Sequence, residues 1–276
     1  MAHDPLNHVI DHDKIEIFTE IADVSIPLLK IGDFQLTLYM LLEVVVAAII
    51  LLVYLPLSRK ISTGEPPRGT FWNFFEVVLT YIRDEVAKPS IGEKDADRFV
   101  PFLWTLFLFI VLCNLLGLIP FLGSPTASLS VTGVLALLAF LLIHGSAIIR
   151  LGPLHYLESF IIRIDLGHPL ANIFLGLPLT AFLFVLEVIS ALSRGLILAL
   201  RLFANMVAGH LVLAVMLSFI SMAAKSADYI FWPVTLVSIT MTLAVSFLEL
   251  FVAFLQAFVF TLLTAIFLGM ALHPEH

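Results

Sequence analysis

Charge and cysteine are both scarce in this sequence. Only 13% of the 276 residues are charged, about half the fraction that is usual in a soluble domain. The single cysteine, Cys113, excludes an internal disulfide and a cysteine-based metal cluster. The first residues are acidic and polar, without a basic and apolar leader, so no secretory signal is predicted. The net charge of −7 arises largely in this amino-terminal tail and gives no reason to expect a nucleic-acid partner.

Hydrophobic residues are correspondingly abundant, at 61% of the chain. Crossing the hydrocarbon core of a bilayer takes about 20 apolar residues in a helix, and several runs reach that length. The sequence therefore predicts an all-α, polytopic membrane protein with a single integral membrane domain. The predicted segments are an external tail (1–33), a first span (34–57), an amphipathic surface helix (71–88), a transmembrane hairpin (99–149) and a long tilted helical hairpin (170–272).

Basic residues next to the first span predict the orientation of the chain. Arg59, Lys60 and Arg68 follow this span, whereas the tail before it is acidic. Cytoplasmic loops carry an excess of lysine and arginine. We therefore expect the amino terminus outside and the carboxyl terminus in the cytoplasm.

The last hundred residues contain two apolar runs, 179–224 and 234–272, that are too long for ordinary spans. As helices they would measure roughly 68 Å and 58 Å, against a hydrocarbon core of about 30 Å. Each run must either break into two spans or lie steeply tilted. Neither run contains a polar connector, so the pattern favours two long tilted helices joined at a polar tip near 225–228.

Charged residues are few in this hairpin outside its tip, and together with several polar side chains they follow a pattern. The residues considered are Glu187, Ser190, Arg194, Arg201, Asn205, His210, Glu249 and Gln256. The first five fall on one face at helical spacing. Ionisable groups at membrane depth cost several kcal/mol unless they are paired or hydrated, and they commonly mark an ion pathway. We therefore treat these residues as the candidate site.

The chemistry of the side chains divides them by role. Arg201 cannot release its proton, so it is a fixed positive charge that attracts a carboxylate and repels a cation. His210 and Glu249 can both change protonation state and are candidates for a proton relay. Arg194 either snorkels to the membrane surface or pairs with Glu187. His210 can alternatively be a packing donor, and Asn205 and Gln256 can be interhelical hydrogen-bond partners.

Three segments resemble the signatures of the ATP synthase a-subunit family. They are ALRLFANMVAGHL (199–211), LELFVAFLQAFVFTLLT (248–264) and NLLGLIP (114–120). The resemblance extends over nearly the whole chain and is strongest from Glu187 onward. It implies one amino-terminal span, a surface helix, a hairpin and two long tilted helices that lie against a rotor ring.

The same resemblance implies a role for each candidate residue. Arg201 matches the essential arginine that faces a carboxylate of the rotor ring, and His210 and Glu249 match a glutamate–histidine pair of that family. Gln256 and Asn205 match amides near the arginine, Glu187 and Ser190 match polar positions along a half-channel, and Arg194 occupies a position that is often basic. As a hypothesis, His210 and Glu249 line the outer of two aqueous half-channels.

The resemblance also implies partners and a location. The partners would be the c-subunit ring, the b-subunit peripheral stalk, the remaining ATP synthase subunits and the lipid bilayer, and the membrane would be a bacterial inner membrane. No cofactor and no metal is expected. The sequence has no phosphate-binding loop, so nucleotide chemistry would belong to other chains of the complex.

Two other classes of protein fit the sequence less well. An ion-coupled secondary transporter usually shows internal repeats and broken helices, and the sequence shows no repeat. An intramembrane hydrolase is disfavoured because His144, Gly145 and Ser146 are adjacent and do not face one another on a helix. The sequence leaves open the coupling ion, H⁺ or Na⁺, the ring size, the organism, the direction of operation, and the roles of Glu43, His144 and Asn114.

Overall fold

The computed structural model describes four short strands within the first 35 residues, and then residues 37–62, 69–119, 123–158, 177–224 and 228–273. The rest of the predicted external tail, the first residues of the predicted long hairpin (170–176) and part of its tip (225–227) lie outside the described residues. All eight candidate site residues lie within them.

Helices account for most of the described chain. They are α1 (Leu38–Ser62), α2 (Thr70–Tyr81), a π-helical stretch (Ile82–Ala87), α3 (Lys88–Ile91), α4 (Glu93–Gly117), a 3₁₀ turn (Pro125–Ala127), α5 (Leu129–Leu151), α6 (Pro153–Glu158), α7 (Leu177–Ala223) and α8 (Asp228–Leu272). Five of the described helices, α1, α4, α5, α7 and α8, are long and apolar enough to cross a membrane. The chain is thus an integral, multi-pass membrane protein, and the predicted fold class is confirmed.

The amino-terminal tail adds two small antiparallel β-hairpins to this helical architecture. Strands β1 (Lys14–Glu16) and β2 (Ser25–Pro27) pair with each other. Strands β3 (Lys30–Ile31) and β4 (Phe34–Gln35) form the second pair, directly before α1.

Helix α4 lies in the centre of the subunit. Leu103, Trp104 and Ile110 on this helix are fully buried, and its neighbours include α1, α5 and α8. The sequence predicted a helix from Phe99, whereas α4 already begins at Glu93. Its first turns are charged and stay helical because other elements supply partners for their side chains.

Ion pairs at the amino-terminal end of α4 show how those partners are supplied. The Arg83 guanidinium donates two hydrogen bonds to Asp97, at 2.6 and 2.8 Å, and Arg150 at the end of α5 pairs with Asp95. Arg83 lies in the π-helical stretch, and its hydrogen bond with Asp97 raises its pKa above the usual range. These contacts join the surface helix and α5 to the same end of α4.

Helices α7 and α8 are uninterrupted over 47 and 45 residues, which corresponds to roughly 70 Å and 68 Å. They pack against each other as a hairpin. Fully buried Ala253 and Ala257 on α8 allow neighbouring helices to approach closely, as small residues do in membrane proteins. The absence of a break in either helix does not favour a secondary transporter, whose ion sites are commonly built on broken helices.

Candidate functional site

Glu187 and Arg194 form an ion pair near the start of α7. The Nη2 atom of Arg194 lies 3.3 Å from Oε1 of Glu187. The same guanidinium lies over the ring of Phe267 on α8, 5.4 Å from its centroid. Of the two alternatives that the sequence left open for Arg194, the structure shows pairing with Glu187.

Arg201 differs from Arg194 because it has no ion-pair partner among the described residues. Its side chain is half-buried between α7 and its neighbours, where a positive charge is costly unless it is compensated. Within the parts of the chain that the structure describes, no carboxylate lies within ion-pair distance of Arg201. The site therefore presents one fixed positive charge that no carboxylate among the described residues neutralises.

A pair of amides joins α7 to α8 one turn beyond Arg201. The Nδ2 atom of Asn205 donates a hydrogen bond to Oε1 of Gln256, at 2.8 Å. Gln256 is buried, and among the described residues its Nε2 atom has no hydrogen-bond partner. This hydrogen bond fixes the position of α8 along the axis of α7. It leaves the Nε2 group of Gln256 available as a donor.

Glu249 lies further along the same interface and is buried, with no hydrogen-bond partner in the part of the chain that the structure describes. Glu249 is only 7% exposed, and neither of its carboxylate oxygens has a hydrogen-bond partner among the described residues. The Nε2 atom of His210 is likewise buried and unpartnered. No hydrogen bond joins the two residues in the described chain, although their helices are in contact at this level.

Gly209 explains why Glu249 fits against α7. A Cβ atom built on Gly209 would lie 3.0 Å from Cδ and 3.1 Å from Cγ of Glu249, and closer still to Oε1. A side chain at position 209 would therefore displace the carboxylate. Sequence reasoning did not include Gly209 in the site, although it directly precedes His210 in the segment that carries the family signature.

The polar groups fall into two sets along α7, with Arg201 between them. Glu187 lies 14 residues before Arg201, or about 21 Å along the helix, and His210 lies nine residues after it, or about 14 Å. Ser190 has an exposed side chain on the Glu187 side. The arrangement is two separated polar regions with a fixed charge at the boundary.

A cavity occupies the region on the Glu187 side, and we call it the carboxyl-end cavity. Its volume is about 680 Å³, and it lies between α5, α7, the end of α8 and the turn that contains Gly92. The ionisable side chains that line it are those of His144, Tyr156, Glu187, Arg194 and His273. Among the described residues there is no group of three or more histidine, cysteine, aspartate or glutamate side chains arranged to hold a metal ion.

Comparison with known proteins is consistent with this geometry. A family model described as ATP synthase A chain matches residues 39–269. The chain belongs to the ATP synthase A chain family. The match includes every candidate site residue, the whole of α4, α5 and α7, and nearly all of α1 and α8.

Relatives in several bacteria agree with this assignment. The ATP synthase subunit a of Chloroherpeton thalassium is 36% identical over 99% of this chain and 80% of its own length. That of Anaeromyxobacter dehalogenans strain 2CP-1 is 40% identical over 75% of this chain, which spans only 50% of that relative. That of Chlorobium phaeobacteroides strain DSM 266 is 34% identical over 98% of this chain and 75% of its own length.

Proposed function

We propose that this member of the ATP synthase A chain family is the proton-translocating stator subunit a in the membrane sector of a rotary F-type ATP synthase. The observation that carries the proposal is the half-buried Arg201, which has no carboxylate partner in the described chain. Its partner is then a carboxylate of another chain, and the rotor ring is the partner that the family implies.

The physical reason is the cost of charge in lipid. A carboxylate of the c-subunit ring must be protonated while it passes through lipid, because an ionised group there is expensive. On reaching Arg201 it meets a fixed positive charge that favours its ionised form. The proton is released on one side, and the carboxylate is protonated again from the other side before it returns to lipid.

Arg201 also separates the two sides. Because the guanidinium keeps its proton, a proton cannot pass along α7 through this position. On one side, Glu249, His210 and the Asn205–Gln256 pair form the outer half-channel. On the other side, Glu187, Ser190, Arg194 and the carboxyl-end cavity form the inner half-channel. Each proton that crosses the membrane field releases about 2.3 kcal/mol per 100 mV, which drives rotation of the ring.

Most of the surface of α7 is not covered by the rest of the described chain, which is consistent with a large partner in the membrane. In the most apolar stretch of α7 only 11% of the residues are buried inside the chain. Such a face needs lipid or another apolar surface. We assign it to the c-subunit ring and to lipid, with the b-subunit peripheral stalk and the other ATP synthase subunits completing the complex. The amino terminus would face outward and the carboxyl terminus the cytoplasm of a bacterial inner membrane.

Replacement of Arg201 by alanine in the assembled complex tests the proposal. We expect ATP-driven proton pumping into membrane vesicles to be abolished while the complex still assembles. A passive proton leak should appear as well, because the barrier between the half-channels is removed. Arg98→Ala is the control, since Arg98 is an exposed arginine at the start of α4.

The two outcomes separate the alternatives. Loss of pumping in Arg201→Ala, with normal pumping in Arg98→Ala, supports a stator charge. Pumping at the wild-type rate in assembled Arg201→Ala complexes contradicts the proposal and makes Arg201 a structural residue.

A further inference from the structure

His144 and Tyr156 are ionisable side chains of the carboxyl-end cavity that the proposed function does not use. They belong to α5 and α6, whereas Glu187 and Arg194 in the same cavity belong to α7. A cavity of about 680 Å³ exceeds by more than tenfold the volume that one water molecule requires. Its walls therefore leave room for water between these side chains.

His144 is held in a defined orientation. Its Nδ1 atom forms a hydrogen bond with the hydroxyl group of Tyr156, and its ring lies against Phe140, with ring centroids 4.0 Å apart. Tyr156 is buried, at 8% exposure, and its burial raises the pKa of its hydroxyl group. Since the hydroxyl group keeps its proton and Nδ1 is engaged, Nε2 is the ring atom that remains for proton exchange.

We propose that His144, positioned by Tyr156, carries protons between Glu187 and the water at the mouth of the carboxyl-end cavity. The inference rests on the proposed proton-translocating function and extends it to a helix, α5, that carries none of the residues assigned above. It assigns His144 as a proton carrier and Tyr156 as its positioning residue.

The transfer is balanced in protons. When Glu187 takes up a proton in place of its ion pair with Arg194, it gives that proton, through water, to Nε2 of a neutral imidazole whose Nδ1–H donates to the Tyr156 oxygen. The imidazolium then releases the Nε2 proton to water at the cavity mouth, and the neutral tautomer is restored. When the complex runs in the opposite direction, the same steps are reversed, and Tyr156 gains and loses nothing.

The charged side chains near His144 are paired with one another. Arg194 lines the same cavity and is ion-paired with Glu187. At the margin, His273 lies 3.4 Å from the Asp95 carboxylate, which also accepts from Arg150. Among the described residues that line the cavity, His144 is therefore a group that can accept a proton without breaking one of these ion pairs.

A purely structural role for the His144–Tyr156 bond is the competing explanation, since the bond also fastens α6 to α5. The two roles make different predictions about a small base in solution. Free imidazole can replace a missing proton carrier in a water-accessible cavity, but it cannot replace a contact between two helices.

The experiment uses the whole ATP synthase complex in inverted membrane vesicles, whose outer buffer reaches the proposed cytoplasmic side. The variants are His144→Gln, which keeps a hydrogen-bonding side chain, and His144→Ala, which leaves space for imidazole. His155→Gln is the matched control, because His155 is a neighbouring, exposed histidine that faces Glu158 and does not line the cavity. Assembly of each complex is measured alongside ATP-driven proton pumping.

We expect pumping by His144→Gln to fall about tenfold. This is less than the ~10²–10⁴-fold that an obligatory proton-transfer group contributes, because water in the cavity provides a partial bypass. Added imidazole should restore pumping by His144→Ala in proportion to its concentration of free base. His155→Gln should pump at the wild-type rate, with or without imidazole.

Two results would overturn the inference. One is wild-type pumping by His144→Gln, and the other is a slow but assembled His144→Ala complex that imidazole does not restore. Either result leaves the proposed function intact as long as Arg201→Ala abolishes pumping. If Arg201→Ala still pumps, the proposed function itself fails, whatever the histidine variants do.

Discussion

Helices α4 and α7 are both long and apolar, yet they have opposite surroundings. In the most apolar stretch of α4, 56% of the residues are buried inside the chain, compared with 11% in α7. Leu103 on α4 is fully buried, whereas Leu196 on α7 is 60% exposed. Apolar residues of α4 thus form the core of the subunit, whereas apolar residues of α7 form a surface for lipid and other chains.

Their polar residues differ in the same way. Asn114 on α4 is fully buried and satisfied, because it donates to the Ala253 carbonyl at 3.2 Å and accepts from Thr126 at 2.7 Å. Along the α7–α8 interface, Glu249 and His210 instead keep buried polar atoms without partners among the described residues. A satisfied buried group contributes to packing, while an unsatisfied one is costly and calls for a functional explanation. The predictions below test this division.

The largest effect is expected for Glu249→Gln, which keeps the shape of the side chain but removes proton exchange. Proton flux should fall by about 10²-fold or more, as for other groups that transfer a proton, with normal assembly. Flux is measured as ATP-driven pumping in vesicles, with Glu85→Gln on the exposed surface as the control. Unchanged flux across the physiological pH range would show that Glu249 is not a relay residue.

The second prediction compares two leucines that differ in burial, Leu103 on α4 and Leu196 on α7. Leu103→Ala opens a cavity in the core and should lower the free energy of unfolding by about 2–5 kcal/mol. Leu196→Ala on the exposed face of α7 should change it by about 0.5 kcal/mol or less. Denaturant unfolding of the isolated subunit in detergent measures both. Equal effects would mean that α4 and α7 do not differ in the way that their burial indicates.

The smallest effect is expected for Asn205→Ala, which removes the hydrogen bond to Gln256. Interhelical hydrogen bonds in membranes contribute about 0.6 kcal/mol on average, so the subunit should remain folded while pumping declines modestly. Ser218→Ala is the control, because its hydroxyl donates only to the Val215 carbonyl of its own helix. A loss of stability of several kcal/mol in Asn205→Ala would make the amide pair a packing contact.

The fold was largely predictable because span length and apolar composition are local properties. The uninterrupted α7 and α8 follow from apolar runs without a polar connector, and the structure contains both helices. The start of α4 at Glu93 was not predictable, because its charged first turns depend on Arg83 and Arg150, which are distant in sequence.

The sequence predicted most residues of the site, but it did not predict which of them contact each other. Arg201 was identified because an arginine at membrane depth needs an explanation. Whether Arg194 pairs with Glu187 stayed open, since a long arginine side chain can also snorkel to the membrane surface. Gly209 was not recognised as part of the site, because the space it leaves is used by Glu249 on a different helix.

The sequence by itself determined that this protein lies in a lipid bilayer, how many long helices it has, and that Arg201 carries a fixed charge. These follow from composition, from helix length and from an ionisation that no environment in a protein reverses. The tertiary structure decided which polar atoms are satisfied, where the carboxyl-end cavity lies, and that His144 and Tyr156 contact each other in the cavity that Glu187 also lines. Contacts of this kind join residues on different helices, and their geometry depends on how whole helices pack, which local sequence does not specify.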